Sequence, residues 1–99
     1  MDIISNRQIE ILVKISYIKN REWLSLTDIA NEIEINVCNP YFSKISALLI
    51  ELNILEIVRI VGQAKLIKIN HKKLRDFIDE QKVCQFWFDY FNHYHIVSW

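Results

Sequence analysis

Three histidines, two cysteines and a scatter of carboxylates are the residues in this chain that could do bond-making chemistry, and their spacing gives them little to do together. His93 and His95 stand one residue apart, with Cys84 one helical face away. That is weak metal-ligand spacing, and His71 is far from it in sequence, so a metal-sensing site is the minor reading. Cys38 and Cys84 form no CxxC pair, which excludes a disulfide framework and leaves two buried or half-buried thiols in a reducing compartment as the plainer reading. No Ser-His-Asp or Cys-His arrangement is visible, no glycine-rich loop could cradle a phosphate, and no carboxylate pair stands out. The chain is not expected to be an enzyme, and no cofactor or metal is expected.

The cations carry more information. Twelve Lys and Arg balance twelve Asp and Glu, so the whole chain is neutral, but the thirds differ. Residues 1–35 and 74–99 are each net −2, while residues 36–73 hold Lys44, Arg59, Lys65, Lys68, Lys72 and Lys73 against Glu51 and Glu56, net +4. A local excess of this kind is where an anionic partner would be met. At 99 residues, with 52% hydrophobic and 12% aromatic, the chain is a single folding domain and not a disordered tail. No apolar run reaches the ~18–20 residues of a membrane span and no secretory signal layout opens the sequence, so no membrane partner and a cytoplasmic location are expected.

Several elements must position those cations. Ser5 and Gln8 form an S-x-x-Q capping box and Ile4 with Ile9 a hydrophobic staple, which start a first helix whose inward face reads Ile9, Leu12, Val13 and Ser16, through about Ile18. After the polar break at 19–22 and the short apolar piece Trp23-Leu24, Thr27 is a suitable N-cap for a two-turn second helix ending near Glu34, with Asp28 in its first turn and Ile29, Ala30 and Ile33 inward. Asn39-Pro40 starts the third helix, Asn as cap and Pro at the first helical position. Its periodicity turns Tyr41, Phe42, Ile45, Leu48, Leu49 and Leu52 to one side and Pro40, Ser43, Lys44, Ala47 and Glu51 to the other, with Ser46 and Ile50 at the margin; Asn53 suits a left-handed helix end. Residues 55–61 and 64–70 are β-branched runs around Gly62-Gln63, the two-residue hairpin signal, predicting Arg59 opposite Leu66 and Ile57 opposite Lys68.

A last helix runs from about His71 to His95 with two apolar stripes: Leu74, Phe77, Ile78, Cys84, Phe88 and Phe91, and Val83, Phe86, Trp87, Tyr90 and Tyr94. About 24 residues at 1.5 Å each is ~36 Å, long against a ~13 Å radius of gyration for a domain this size. Such a helix cannot be covered by its own domain, so a second copy of the chain is expected along Val83, Cys84, Phe86, Trp87, Tyr90, Phe91 and Tyr94. The fold class is therefore mainly α with one β-hairpin (α+β). Residues 1–70 form the core and residues 71–99 a dimerisation helix of the same domain.

This order, with the stretch Leu26-Thr27-Asp28-Ile29-Ala30-Asn31-Glu32-Ile33 and the segment Phe42-Ser43-Lys44-Ile45, Leu49 and Asn53-Ile54-Leu55-Glu56, resembles the winged helix-turn-helix regulators of the MarR-like and ArsR-like groups over roughly residues 5–70. Where that family usually carries Gly after its second and third helices, this chain has Glu34 and Asn53. Its small size and many Ile and Lys residues are also similar to winged-helix proteins of viruses infecting thermophilic archaea, which would put it in a host cytoplasm. The resemblance implies double-stranded DNA as partner, with the third helix in the major groove. Asn39, Pro40, Tyr41, Ser43, Lys44 and Ala47 would contact DNA from that helix, although Asn39 can be consumed as its cap. Arg59, Gln63, Lys65 and Lys68 would do so on or beside the wing.

Three functions remain open on the residues. The first is a dimeric transcription regulator, a repressor before an activator because the chain leaves no room for a separate effector domain. The second is a winged-helix module that binds protein instead of DNA, favoured by the neutral charge, the short wing and Ile50 near an exposed margin. The third adds a ligand or redox switch through Cys84, including an intersubunit disulfide, or through a cavity between the long helices; no small-molecule effector is identified.

Overall fold

A computed structural model describes residues 4–97, with side chains as far as Cys84. It holds α1 (Asn6–Ser16), α2 (Leu26–Glu32), α3 (Pro40–Glu51), β1 (Leu55–Val61), β2 (Ala64–Ile69) and α4 (His71–Val97), an α+β fold of four helices and one antiparallel hairpin.

The capping box at α1 is formed as its residues require: the Gln8 backbone N–H donates to the Ser5 hydroxyl at 3.2 Å, and the Ser5 N–H donates to the Gln8 side chain at 3.0 Å. The inward face of α1 is not the one that periodicity alone gives. Ile9, Ile11, Leu12 and Ile15 are buried, while Val13 and Ser16 are half-buried, because α1 packs against both α3 and α4 and its covered arc is turned toward Ile11 and Ile15.

The second helix starts two residues earlier than Thr27. Ser25 is the cap: its hydroxyl accepts from the Asp28 N–H at 3.2 Å, and the Asp28 carboxylate accepts from the Ser25 N–H at 3.0 Å. Ser25 is held extended by an antiparallel bridge to Leu66, so the chain can turn only after it, and Asp28 then falls at the third helical position. The helix ends at Glu32.

Both α2 and α3 close in the same way. Glu34 and Asn53 take left-handed φ of 58° and 59°. Ile35 N–H donates to Ala30 O and Glu34 N–H to Asn31 O, and likewise Ile54 to Leu49 and Asn53 to Ile50. These are Schellman closures, in which one left-handed residue satisfies the last free carbonyls. Asn tolerates this backbone; Glu carries a strain that Gly would not.

Phe42, Ile45, Ser46 and Leu49 make the buried side of α3. Ser46, expected at the margin, is buried, and its hydroxyl is satisfied there by donating to Ser43 O. Tyr41 and Leu52 belong to the apolar arc but are 42% and 41% exposed. Leu52 is the C-cap, where the chain leaves the helix axis, and Tyr41 lies in the first turn with its ring against Arg7.

In the hairpin, Gly62 takes φ of +61° at the first turn position, and Arg59 pairs with Leu66. Ile57 pairs with Ile67 and not with Lys68, because a bulge at Val58 inserts one residue and moves Lys68 opposite Glu56. The outer edge of β2 is closed by the segment before α2. Ile67 N–H donates to Leu24 O, and the Asn20 amide donates to Ile69 O at 2.8 Å while accepting from Ile69 N–H at 2.7 Å. Leu24-Ser25 is thus a short third partner of the sheet, and Asn20 continues the ladder with a side chain. Among the described residues the outer edge of β1 has no strand beside it.

Asn70 caps α4, and the His71 ring donates through Nε2 to Ile18 O, which ties the start of α4 to the end of α1. Leu74, Phe77 and Ile78 are buried in one core with Leu12, Ile15, Leu24, Ile29, Phe42, Ile45, Leu49, Leu55, Ile67 and Ile69. Gln81, fully buried, accepts from the Ile4 N–H. With 27 residues α4 is ~40 Å long. The radius of gyration is 15.6 Å and the extents are 57 × 25 × 20 Å, more elongated than a compact chain of this length at ~13 Å.

Candidate nucleic-acid interface

The exposed side of α3 is built by its cap. The Asn39 side chain accepts from the Tyr41 and Phe42 N–H groups at 2.9 and 3.3 Å. Asn36 sets up this turn by accepting from Cys38 N–H through its side chain and from Asn39 N–H through its carbonyl. Asn39 is therefore occupied as a cap, which leaves its carbonyl oxygen little capacity for a base edge. Pro40 follows at the first helical position, fixing the direction of the helix.

From there Pro40, Tyr41, Ser43, Lys44 and Ala47 are all exposed, opposite the buried Phe42, Ile45, Ser46 and Leu49. Among the described residues the Ser43 hydroxyl makes no hydrogen bond and Lys44 no ion pair. Small side chains with one free cation leave the backbone of this face open to close approach by another surface. Glu51 lies exposed at the far end, so positive charge is confined to the N-terminal half.

On the hairpin, Arg59, Gln63, Lys65 and Lys68 are exposed, so every sequence-derived candidate on α3 and the hairpin except the half-buried cap Asn39 reaches solvent. Arg59 does not extend freely: its guanidinium lies 5.7 Å from the centre of the Trp23 ring. Lys68 stands across from Glu56, which offsets its charge locally. Lys72 and Lys73 are exposed at the start of α4.

Two aromatic–cation contacts join residues far apart in sequence. Besides Arg59 and Trp23, Arg7 of α1 lies 5.6 Å from the Tyr41 ring centre, bringing a cation from the acidic first third beside the α3 face. Sequence spacing carries no signal for either contact. Behind α2, a groove of about 700 Å³ is lined by Lys14, Tyr17, Lys19, Arg21, Glu32 and Glu34, with an Arg21–Glu32 ion pair along it. The pKa of Asp28 is lowered chiefly by the Ser25 backbone N–H, then by the Ser25 hydroxyl and, more weakly, by the charge of Arg21.

Of the residues expected between two copies, Val83 is 55% exposed and Cys84 half-buried with a free thiol. The side chains of Phe86, Trp87, Tyr90, Phe91 and Tyr94 lie outside the described residues, as do those of His93 and His95. Among the described residues no three His, Cys, Asp or Glu come together as a metal would need, and no helix is long and apolar enough to cross a membrane. No family model matches the chain, and no curated protein or solved structure is significantly similar to it.

Proposed function

We propose that this chain is a winged helix-turn-helix protein that binds double-stranded DNA as a homodimer and regulates transcription, as a repressor before an activator. The observation that carries the reading is the outer face of α3: Pro40, Ser43, Lys44 and Ala47 stand exposed on a helix whose other side is locked in the core. A helix of that kind fits the major groove with its N-terminal half at the base edges. Lys44 reaches guanine O6/N7 or a phosphate, and Ser43 a base or phosphate. The hairpin, as wing, brings Arg59, Gln63, Lys65 and Lys68 to the flanking backbone. Two copies joined along the distal part of α4 double the phosphate contacts and present two α3 helices to successive turns of one face of the duplex.

The test is duplex binding by gel shift over a range of salt, with Lys44→Glu beside the wild type. The wild type binds random duplexes at low salt and loses affinity steeply as salt rises. Lys44→Glu loses binding while remaining dimeric, and unchanged affinity in that variant removes α3 as the reading face.

A second reading has its own observation. Ile57, Val58, Ile60 and Val61 on β1 are 39–63% exposed. Aliphatic side chains along an open strand edge suit a protein partner better than a phosphate backbone. Absence of even weak, salt-sensitive duplex binding at low salt favours this reading over the first.

A further inference from the structure

The geometry points to Arg7 as a DNA-backbone contact supplied by α1 and held beside α3 by the ring of Tyr41. This inference rests on the duplex-binding reading and extends it to a residue outside the basic middle of the chain.

Arg7 is exposed in the first turn of α1 and has a carboxylate within easy reach, since Glu10 lies three residues on along the same helix. It does not use that carboxylate. The ion pair found among the described residues is Arg21–Glu32, and Arg7 instead lies 5.6 Å from the Tyr41 ring centre. The two residues are 34 apart in sequence, so the contact exists because α1 packs on α3 and brings its first turn to the first turn of α3.

Arg7 differs from a solvated surface cation in how it is held. An ion pair with a carboxylate consumes N–H donors of the guanidinium and cancels its charge. A ring beneath it does neither: the attraction is to the π face, and the five N–H donors and the full charge stay available to a third group. Among the described residues Arg7 makes no hydrogen bond, so its donors are unspent. A guanidinium biased toward one position with free donors is well suited to a phosphodiester, whose two oxygens it meets as a fork.

The location fits the same group. Arg7, Tyr41, Asn39 and Lys14 line one shallow groove between α1 and the start of α3, with Glu10 between the two cations. Tyr41 is three residues before Lys44, one turn back along the helix assigned to the major groove. When the N-terminal half of α3 sits in that groove, the flank carrying Tyr41 faces the bordering strand. Arg7 then meets a phosphate there. The contact is sequence-independent and sets the depth and angle at which α3 enters.

The test uses the full chain, a random duplex and a salt titration of affinity for the wild type, Arg7→Gln, Tyr41→Leu, Tyr41→Phe and the Arg7→Gln/Tyr41→Leu pair. Removing one phosphate contact lowers the slope of log affinity against log salt by about 0.9 per bound domain. The affinity lost by Arg7→Gln between about 50 and 200 mM salt is then roughly 3.5-fold smaller per domain than the loss by the wild type. Tyr41→Leu costs more affinity in the wild-type background than in the Arg7→Gln background, and Tyr41→Phe, which keeps the ring, retains that coupling to Arg7. Unchanged slope in Arg7→Gln overturns the contact. Additive effects of Arg7→Gln and Tyr41→Leu, or a Tyr41→Phe whose coupling to Arg7 is lost as in Tyr41→Leu, overturn the holding role of the ring. Circular-dichroism melting of each variant separates these outcomes from misfolding, because Arg7 is exposed and its loss leaves the melt in place. A wild type that binds no duplex at low salt overturns this contact together with the DNA reading. Wild-type binding with an unchanged Arg7→Gln slope overturns this contact alone.

Discussion

Asn20 is the residue whose removal tests the architecture most sharply. Its side-chain amide stands in for a peptide group on the outer edge of β2, donating to Ile69 O at 2.8 Å and accepting from Ile69 N–H at 2.7 Å. Ile69 is itself 1% exposed, so its two backbone groups depend on this partner. Asn20→Ala removes two hydrogen bonds worth ~1 kcal/mol each and leaves a donor and an acceptor in want of partners, which if kept dry would cost ~1–3 kcal/mol more. Asn20 lies at an exposed position, so water reaches part of the vacated site and the total falls near the low end, about 2–3 kcal/mol. For a domain of this size that is a fall in melting temperature of roughly 8–24 °C. Asn20→Asp keeps the acceptor for Ile69 N–H but sets a carboxylate oxygen against Ile69 O, and loses at least as much. The assay is far-UV circular-dichroism melting at one fixed protein concentration, because the proposed dimerisation would make the midpoint concentration-dependent. A midpoint within about 2 °C of wild type in Asn20→Ala would refute the reasoning, since the edge of β2 would then be held by something other than this amide.

Three further outcomes are expected. The lowered Asp28 pKa means that its contribution to stability is fully present above the ordinary value of 3.8 and is lost as pH falls through the lower folded value. Ser25→Ala, which removes the hydroxyl half of the box, costs ~1 kcal/mol at neutral pH and flattens that acid limb in urea unfolding followed between pH 2 and 6. Glu34→Gly relieves the left-handed backbone at φ 58° and raises the melting temperature, the gain being at most about 1 kcal/mol, whereas Asn53→Gly changes it less because Asn already tolerates that geometry. Val83, 55% exposed in the single chain, is buried in the proposed dimer. Val83→Glu therefore leaves the fold intact but weakens association by about 15-fold or more, at ~0.8 kcal/mol from each of two copies for the half of the side chain still to be covered, as read by sedimentation equilibrium.

What was legible in the sequence was local. Ser5 with Gln8, Asn39 with Pro40, Asn53, and Gly62 each determine the backbone within a few residues, and the structure places a cap or turn at each. The cap of α2 is a local signal passed over: Ser25 has Asp28 three residues on to complete a box, where Thr27 has Ala30, and the bridge from Ser25 to Leu66 adds to that choice. The other errors arose where a distant residue decides. The alternating pattern of β1 does not reveal a bulge at Val58, so it predicts the partner of Arg59 but not that of Ile57. Helical periodicity put Tyr41 on the apolar arc, but its ring lies partly exposed under Arg7, a residue from the opposite end of the charge bookkeeping. The candidate face of α3 was readable because one amphipathic helix carries it. The Arg7–Tyr41 and Arg59–Trp23 contacts were not, because each joins two elements that only tertiary packing brings together.

The measurement that bears most directly on the proposed function is selection of bound duplexes from a random pool by the wild-type chain. The account predicts enrichment of a site with two inverted half-sites whose centres are about one helical turn, 10–10.5 base pairs, apart. A pool that emerges with no enriched sequence, or with single unpaired half-sites, contradicts a dimer that reads DNA through α3.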